Sequence, residues 1–263
     1  MEVLYNKILD SIGRNNPCVM ATVVSSSGSS PRKVGAKIVI NKDGSICGTI
    51  GGGAMEKLVI ADALSALKKH RSFLKTYYLD KKSGLQICGG KVDIFFEIFE
   101  PKRQLVIAGA GHIGLALSFI AKLLDFKIVI VDNRRDFANF KRFPHADKIM
   151  RCPYKEAFKK IRIDGNTYMV IVTHGHLHDG ECLREALMTQ AGYIGMIGSR
   201  SKIKILFDML LKEGCKKAQL DKVHTPVGLD IGAETPQEIA VAIAAQLVEV
   251  HREDGILKLQ KVS

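Results

Sequence analysis

Apolar and polar positions change their pattern at about residue 100 of the chain. Before that point, short apolar stretches rich in β-branched residues are separated by turns that contain glycine, which predicts strands. Five strands are predicted, at residues 17–25, 36–41, 45–50, 73–79 and 91–99. Two helices are predicted beside them, at residues 2–14 and 53–69. The first hundred residues are therefore expected to form an α+β domain.

The helix predicted at residues 53–69 carries an apolar stripe at helical spacing. The stripe places four apolar residues on one face of the helix: Leu58, Ala61, Leu64 and Leu67. Residues 42–44 (Lys-Asp-Gly) join two of the strands. They predict a hairpin turn, because glycine tolerates the positive φ that such turns need.

From residue 104 onward, apolar runs alternate with helical segments. The runs at residues 104–108, 127–132, 168–173 and 193–197 are apolar on both faces, and a weaker one lies near 147–150. Strands of this kind, joined by helices, predict a parallel sheet that is covered on both sides. The last helix has a clear start, because Thr235, Pro236 and Glu238 form the pattern of a capping box.

A domain boundary is predicted at residues 101–103 (Pro-Lys-Arg), where the pattern changes. The predicted fold class is α/β. An N-terminal α+β domain at residues 1–100 precedes a Rossmann-like, doubly wound domain with a mostly parallel sheet at residues 104–263.

Composition and charge exclude several classes of protein. Hydrophobic residues make up 46% of the 263 residues, so the chain can bury a core. The formal net charge of +12 is spread along the chain, and the best basic–aromatic stretch is short (FANFKRF, residues 137–143). We therefore expect no nucleic-acid partner, and an affinity for small anions instead.

Targeting signals and cysteine spacing indicate the cellular compartment of the protein and exclude some kinds of site. The apolar stretch at residues 105–124 is interrupted by three glycines and a histidine, so we expect no membrane span. The amphipathic start of the chain contains acids and does not resemble a signal peptide. None of the six cysteines forms a CxxC pair, which excludes a zinc knuckle and a thioredoxin-type centre. A cytoplasmic location is expected.

Residues 109–114 (GAGHIG) form a GxGxxG motif directly after an apolar strand and before a helix. In this context Gly109 makes a tight turn, Gly111 lets a phosphate approach the backbone, and Gly114 allows close helix packing. Asp132 ends the next strand and would accept hydrogen bonds from a ribose. The motif predicts NAD(P) or another nucleotide as a ligand. Arg134 and Arg135 could meet a 2′-phosphate, although solvated loop charges are the more ordinary interpretation.

A histidine cluster follows the strand that ends at residue 173 (THGHLHD, residues 173–179). Three interpretations stay open. His174, His176 and Asp179 could bind a metal, as in a metallohydrolase. They could instead line an anion or cofactor pocket, because ligands bind at the carboxyl end of a parallel sheet. In the third interpretation they are structural, with Asp179 as the N-cap of a helix at 180–191.

Two glycine loops occur in the first half, at residues 28–32 (GSSPR) and 48–53 (GTIGGG). They supply backbone N–H groups, small hydroxyls and an arginine, which suits an oxyanion, although ordinary β-turns would look the same. The candidate cofactor-binding residues are Ser29, Ser30, Arg32, Gly51, Gly52 and Gly53. Cys88, before two glycines, is a candidate soft ligand for a metal or sulfur, against the alternative of an inert core cysteine.

Several long motifs resemble those of the xanthine dehydrogenase accessory factors of the XdhC/CoxI type. In the first half they are GSSPR, GTIGGG with Glu56, and CGG at residues 88–90. In the second half they are the glycine turn, THGH with Asp179, YIGMIGSR at residues 193–200 and HTPVGLDIG at residues 224–232. The resemblance covers nearly the whole chain. His178 is an addition to the family pattern, and no role is assigned to it.

The resemblance implies a chaperone that binds molybdenum cofactor as cargo, protects it during sulfuration and inserts it into a molybdenum hydroxylase. Such a protein turns over no substrate. Its expected partners are the large subunit of the hydroxylase, a cysteine desulfurase and a second copy of the chain. Cys88 would contact the molybdenum. The alternatives are an NAD(P)-dependent oxidoreductase using the glycine turn, a metallohydrolase centred on the histidines, and a scaffold that only docks.

Overall fold

The structure is a computed structural model that describes residues 2–27, 33–79, 90–174 and 176–253. The side chains at 176, 177, 252 and 253 also lie outside the description. The chain divides into two compact units at Pro101, and the second unit runs from Lys102 to His251.

The first unit contains an antiparallel sheet with a helix on each face. Its elements are α1 (Glu2–Gly13), β1 (Cys18–Ser27), β2 (Lys37–Asn41), β3 (Ile46–Gly48), α2 (Gly53–Lys69), β4 (Phe73–Leu79) and β5 (Gly90–Phe99). The strand order is β3-β2-β1-β5-β4, and every paired strand is antiparallel to its neighbour.

Alternation along β1 explains why helices cover both faces of this sheet. Val19, Ala21 and Val23 lie in the cluster that contains the α2 residues. Cys18 and Met20 lie in the cluster around Ile8 of α1. Successive strand residues point to opposite faces, so an all-apolar run needs cover on both.

The predicted apolar stripe of α2 is only partly buried: Leu67 is buried and Leu64 packs against the core cluster, but the other two members are exposed. Leu58 is 43% exposed and Ala61 is exposed as well. The buried side chains are centred on the neighbouring stripe and share only Leu67 with the predicted one: Met55, Val59, Ala63, Ala66 and Leu67. Both stripes are apolar, so periodicity alone could not choose between them, and contact with the sheet decides which one is buried.

The second unit is built on a parallel sheet. Its elements are β6 (Gln104–Ala108), α3 (His112–Leu123), β7 (Lys127–Val131), β8 (Lys148–Met150), α4 (Tyr154–Lys160), β9 (Thr167–Ile171), α5 (His176–Leu187), β10 (Tyr193–Met196), α6 (Arg200–Lys212), α7 (Lys217–Leu220), β11 (Val223–His224) and α8 (Pro236–Glu253). The strand order is β11-β10-β9-β6-β7-β8, with all pairs parallel.

Helices cover both faces of this sheet. Side chains of α3 and α8 pack with one set of strand residues, including Ile107 and Val170. Side chains of α4, α5 and α6 pack with the alternate set, including Val106 and Ile171. The predicted fold class is therefore confirmed: an α+β unit is followed by a Rossmann-like unit with a parallel sheet.

The strand order creates a crevice at the carboxyl edge of the second sheet. The chain builds outward from β6 to β7 and β8, and then returns to place β9 on the other side of β6. The connections after β6 and β9 leave in opposite directions, which is where doubly wound folds bind ligands.

Two further predictions can be compared with the structure. The capping box of α8 is confirmed, because the Glu238 carboxylate accepts the Thr235 N–H at 2.9 Å and the Thr235 hydroxyl accepts the Glu238 N–H at 3.3 Å. As for the membrane, none of the helices in the described ranges combines the length and the apolar character needed to cross one.

Candidate functional site

Two glycines hold the turn between β6 and α3 close to its neighbours. Gly109 has φ +122°, and a Cβ atom there would lie 2.2 Å from the carbonyl oxygen of Val172, just after β9. A Cβ atom at Gly114 would lie 2.1 Å from the carbonyl oxygen of Gly109. Both distances are far below van der Waals contact, so a side chain at either position requires the backbone to move.

The middle glycine has a different environment. A Cβ atom at Gly111 would meet no atom of the described residues within 4 Å. Gly111 is the N-cap of α3, and no side chain in the described ranges caps the helix there. The first N–H groups of an α-helix lack intrahelical partners and favour anions. The start of α3 therefore offers donors beside open space, as the motif predicts.

Asp132, just after β7, binds the backbone of this turn through its side chain. Its side chain is 1% exposed, and Oδ2 accepts the backbone N–H of Ala110 at 2.8 Å. The Arg134 guanidinium donates to both carboxylate oxygens, at 3.0 Å from Nε and 2.8 Å from Nη2. Burial alone would raise the pKa of Asp132, but the hydrogen bonds from Arg134 and Ala110 outweigh it and hold this pKa below its ordinary value.

These contacts give Asp132 a structural task. Both oxygens are engaged within the protein, so a ribose would have to compete with Arg134 for them. The ribose role of Asp132 stays a prediction. Arg134, for its part, is no solvated loop charge: its Cζ atom lies 4.1 Å from the ring centroid of Phe137 in addition to its ion pair.

A second guanidinium, which was not predicted from the sequence, lies near the turn. The Cζ atom of Arg142 is 5.1 Å from the Phe137 ring centroid, and Nη2 donates to the Ala110 carbonyl at 3.5 Å. Its Nε atom is buried without a hydrogen-bond partner among the residues that the structure describes. The FANFKRF stretch thus packs beside the glycine turn, and Arg142 makes the surroundings of the turn more positive.

The histidine segment adjoins this region because β9 pairs with β6. The Thr173 hydroxyl donates to Asp179 Oδ1 at 2.5 Å. The helix begins at His176, so Asp179 lies in its first turn and is not the N-cap. His174 is exposed, and Nδ1 of His178 lies 3.9 Å from Oε2 of Glu181. Within the described ranges, no three His, Cys, Asp or Glu side chains come together as metal ligands, and the His176 side chain lies outside them.

In the first unit, the loop between β3 and α2 is folded around Glu56. Its Oε2 atom accepts the Thr49 hydroxyl at 2.7 Å and the N–H groups of Ile50 and Gly52 at 3.2 Å each. Gly51, Gly52 and Gly53 have φ values of +127°, +74° and +70°. The carboxylate of Glu56 therefore lies where an external oxyanion would meet these two donors.

The predicted site residues fall into three groups. Gly109, Gly111, Gly114 and Asp132 come together in the second unit, and Asp179 with His174 follows the adjacent strand. The glycines at 51–53 and Glu56 belong to the first unit. Ser29, Ser30, Arg32 and Cys88 lie outside the described residues, so their roles stay predictions.

A cavity of about 770 Å³ extends from Thr173 along the groove between α5 and α6, and we call it the α5–α6 cavity. Its lining residues come from both helices and from the end of β10: Thr173, Asp179, Gly180, Glu181, Arg184, Met196, Ile197, Gly198, Lys202, Ile203, Ile205, Leu206, Met209 and Glu213. Among them, only Asp179 was predicted from the sequence as a site residue. The YIGMIGSR motif, which ends beside the cavity, was the available signal.

Known proteins resemble the chain in both units. The family described as XdhC Rossmann domain matches residues 105–247, and the XdhC and CoxI family matches residues 11–78. The uncharacterized protein YqeB of Escherichia coli K12 is 32% identical over 241 residues, which cover 90% of this chain and 44% of YqeB. A protein of Bacillus subtilis 168, described as a probable component of xanthine dehydrogenase, is 27% identical over 63% of this chain and 48% of its own length.

The chain thus spans less than half the length of these two curated relatives. A crystal structure described as a xanthine dehydrogenase from Bacillus halodurans superposes with a TM-score of 0.54. It is 23% identical, and the match covers 98% of this chain and 97% of that one. At this identity the likeness concerns the fold.

Proposed function

Since the chain belongs to the XdhC and CoxI family, we propose that it is a maturation factor for a molybdenum hydroxylase of the xanthine dehydrogenase type. It binds the molybdenum cofactor as cargo and protects it while the sulfurated form is made. It then delivers the cargo to the large subunit of the hydroxylase. A cysteine desulfurase that provides the sulfur is a second proposed partner, and a dimer of this chain the proposed assembly.

The observation that carries the proposal beyond family membership is the open start of α3. The cargo is a pterin with a phosphate, and the start of this helix beside Gly111 offers N–H donors to such an anion. Arg142, whose Nη2 atom donates to the Ala110 carbonyl, adds positive charge beside the same turn, whereas the charge of Arg134 is balanced by Asp132. These features support phosphate binding in the second unit.

Cys88 is the residue proposed to contact the molybdenum. A thiolate is a soft ligand and suits a metal that already carries sulfur. The other cysteines of the first unit are Cys18, which is buried, and Cys47, which is half-buried on β3. Cys47→Ser is therefore the matched control for Cys88→Ser.

Co-purification tests the function directly. The chain is expressed in cells that make molybdenum cofactor, and the purified protein is assayed for molybdenum and for released pterin. We expect both in comparable amounts, reduced in Cys88→Ser and unchanged in Cys47→Ser. Protein without molybdenum or pterin, from cells whose extracts contain the cofactor, would contradict the proposal.

A nucleotide is a second ligand to test, favoured by the Rossmann strand order and the geometry of the glycine turn. The nucleotide-extended form of the cofactor would place its nucleotide in the second unit. Calorimetric titration with cytidine and nicotinamide nucleotides separates the cases. Binding of nicotinamide nucleotides alone, with no cargo in the purified protein, would instead favour an oxidoreductase.

A further inference from the structure

The α5–α6 cavity has the dimensions and position of a small-molecule site. Its volume of about 770 Å³ is within the range of roughly 300–1,000 Å³ that is usual for ligand pockets. Thr173 and Gly198 border it just beyond β9 and β10, at the carboxyl edge of the sheet. Ligands of doubly wound folds bind at this edge.

A glycine inside α5 keeps the groove open. Glycine in a helix interior costs up to about 1 kcal/mol relative to alanine. A Cβ atom at Gly180 would lie 3.0 Å from Cδ1 of Leu206 and 3.6 Å from Cε of Met209, both on α6. A side chain at this position would therefore enter the cavity. The helix carries a destabilising residue at a point where any other would narrow the groove.

The apolar lining favours a flat, polarizable ligand. Met196, Ile197, Leu206 and Met209 line the cavity, and Met209 is 42% exposed. Thioether sulfur packs well against the edges of aromatic rings. Ile205, which also lines the cavity, is 71% exposed, so apolar surface remains that a bound ring would cover.

The charged residues that line the cavity determine which hydrogen-bonding groups a bound ligand should carry. Asp179 and Glu181 contribute carboxylates from the first turns of α5, whereas Arg184 is paired with Glu213 through Nε at 2.8 Å. Carboxylates accept hydrogen bonds from N–H donors, and such charge-assisted bonds are strong. Lys202 is exposed at the start of α6 and suits an anionic substituent at the mouth of the cavity.

We propose that the α5–α6 cavity binds a flat heteroaromatic ring whose edge carries adjacent N–H donors, as in a 2-amino-4-oxopyrimidine, with Asp179 as the acceptor. Pterins and guanine share this edge. The identification of the pterin of the cargo as the occupant rests on the proposed function. The binding of the ring itself does not.

Fluorescence and calorimetric titrations of the whole chain test the site with three probes. These are 6-hydroxymethylpterin, guanosine monophosphate, and a lumazine, in which an oxo group replaces the 2-amino group. We expect the pterin or the guanine nucleotide to bind, and the lumazine to bind at least about tenfold more weakly than the pterin. Binding of guanosine monophosphate alone identifies a nucleotide base as the occupant of the same site.

Two variants test the site, one by removing a charge and the other by filling the groove. Asp179→Asn keeps the shape and an acceptor for Thr173 but removes the charge, and Gly180→Leu fills the groove with a good helix former. Each is expected to weaken binding at least about tenfold. Asp208→Asn, an exposed position on α6 outside this cavity, should leave it unchanged. Thermal unfolding of each variant verifies that it is folded.

Two results would overturn the inference: wild-type affinity in Asp179→Asn, or no binding of the pterin or guanosine monophosphate up to about 1 mM. The experiments distinguish failure of the cavity proposal from failure of the proposed function. Protein that carries molybdenum and pterin but binds no free ring would refute only the cavity proposal. Ring binding that depends on Asp179, in protein without any cargo in cofactor-producing cells, would refute only the maturation role.

Discussion

The two glycine-rich turns that the structure describes look alike in sequence but differ in what their N–H groups bind. In the first unit, the Glu56 carboxylate accepts the N–H groups of Ile50 and Gly52. In the second unit, Asp132 accepts the Ala110 N–H, and Arg134 neutralises its charge. The start of α3 beside Gly111 is left with open space around it, as far as the described residues extend.

The difference shows that a glycine loop is an anion site only when the protein has not already supplied the anion. In the first loop, the carboxylate of Glu56 in the first turn of α2 already accepts the N–H groups of Ile50 and Gly52. The glycines of this loop therefore serve only to allow the positive φ values of its backbone. The second turn uses its glycines for close packing at two positions and for access at one. Substitutions that act on one turn and spare the other can test this comparison.

Gly114→Ala should have the largest effect. The new methyl group would lie 2.1 Å from the Gly109 carbonyl oxygen, and backbone cannot give way as a flexible side chain can. We expect a loss of about 3 kcal/mol in the free energy of unfolding, measured by urea denaturation. Gly165→Ala, where a Cβ atom meets no described atom within 4 Å, is the control and should change little. Equal stability of the two variants would disprove the close packing of the turn.

Asp132→Asn should have the second-largest effect. We expect it to lower the free energy of unfolding by about 2 kcal/mol at neutral pH, because it leaves the Arg134 guanidinium beside a buried neutral group. The folded-state pKa of Asp132 lies below its ordinary value of 3.8, so the ionised carboxylate stabilises the fold above that pH. This contribution is lost as the pH falls through the lower folded-state pKa. The stability difference between wild type and variant should therefore stay constant from about pH 7 to 5 and shrink below about pH 4.

The exposed ion pair of Asp125 with Lys102 provides the control for this measurement. Their side chains are 73% and 63% exposed. Asn also tolerates the positive φ of position 125. Asp125→Asn should therefore change stability by less than about 0.5 kcal/mol. A pH dependence of the same size in both variants would mean that the burial of Asp132 has no energetic consequence.

Glu56→Ala should cost about 1–2 kcal/mol, because two loop N–H groups and the Thr49 hydroxyl lose their acceptor. It also sharpens the comparison, since it turns the first loop into an unoccupied anion site. Inorganic phosphate should then raise the melting temperature of the first unit in the variant more than in the wild type. An equal rise in both proteins would show that Glu56 does not occupy the place of an anion.

Much of the fold could be predicted from the sequence because its signals are local. Buried apolar runs and the GxGxxG turn predicted a parallel sheet, and the capping box at Thr235 and Glu238 placed the start of α8. The choice of the buried stripe on α2 could not be made, because the stripes of Leu58 and of Val59 are both apolar. That choice depends on contact with a sheet whose strands come from both sides of α2 in the sequence.

The contacts of the candidate site were harder to predict, because they depend on the environment of each residue. The motif identified Asp132, but not that Arg134, two residues on, would occupy both of its oxygens. The α5–α6 cavity arises from the packing of two helices around Gly180, which no single segment encodes. Residue type gave the candidates, and only tertiary structure distinguishes a satisfied group from an open one.

Gly111→Ala should have the smallest effect on stability and the clearest effect on binding. The position has φ −72°, which alanine adopts, and a Cβ atom would meet no described atom within 4 Å, so the free energy of unfolding should fall by no more than about 1 kcal/mol, the usual cost of alanine in place of glycine at an N-cap. The methyl group would nevertheless project into the space through which a phosphate reaches the helix start. We expect weaker binding of cytidine diphosphate or of the cofactor cargo, measured by calorimetry and by the molybdenum content of purified protein. Unchanged binding in the folded variant would mean that the open space at the start of α3 is not where the anion binds.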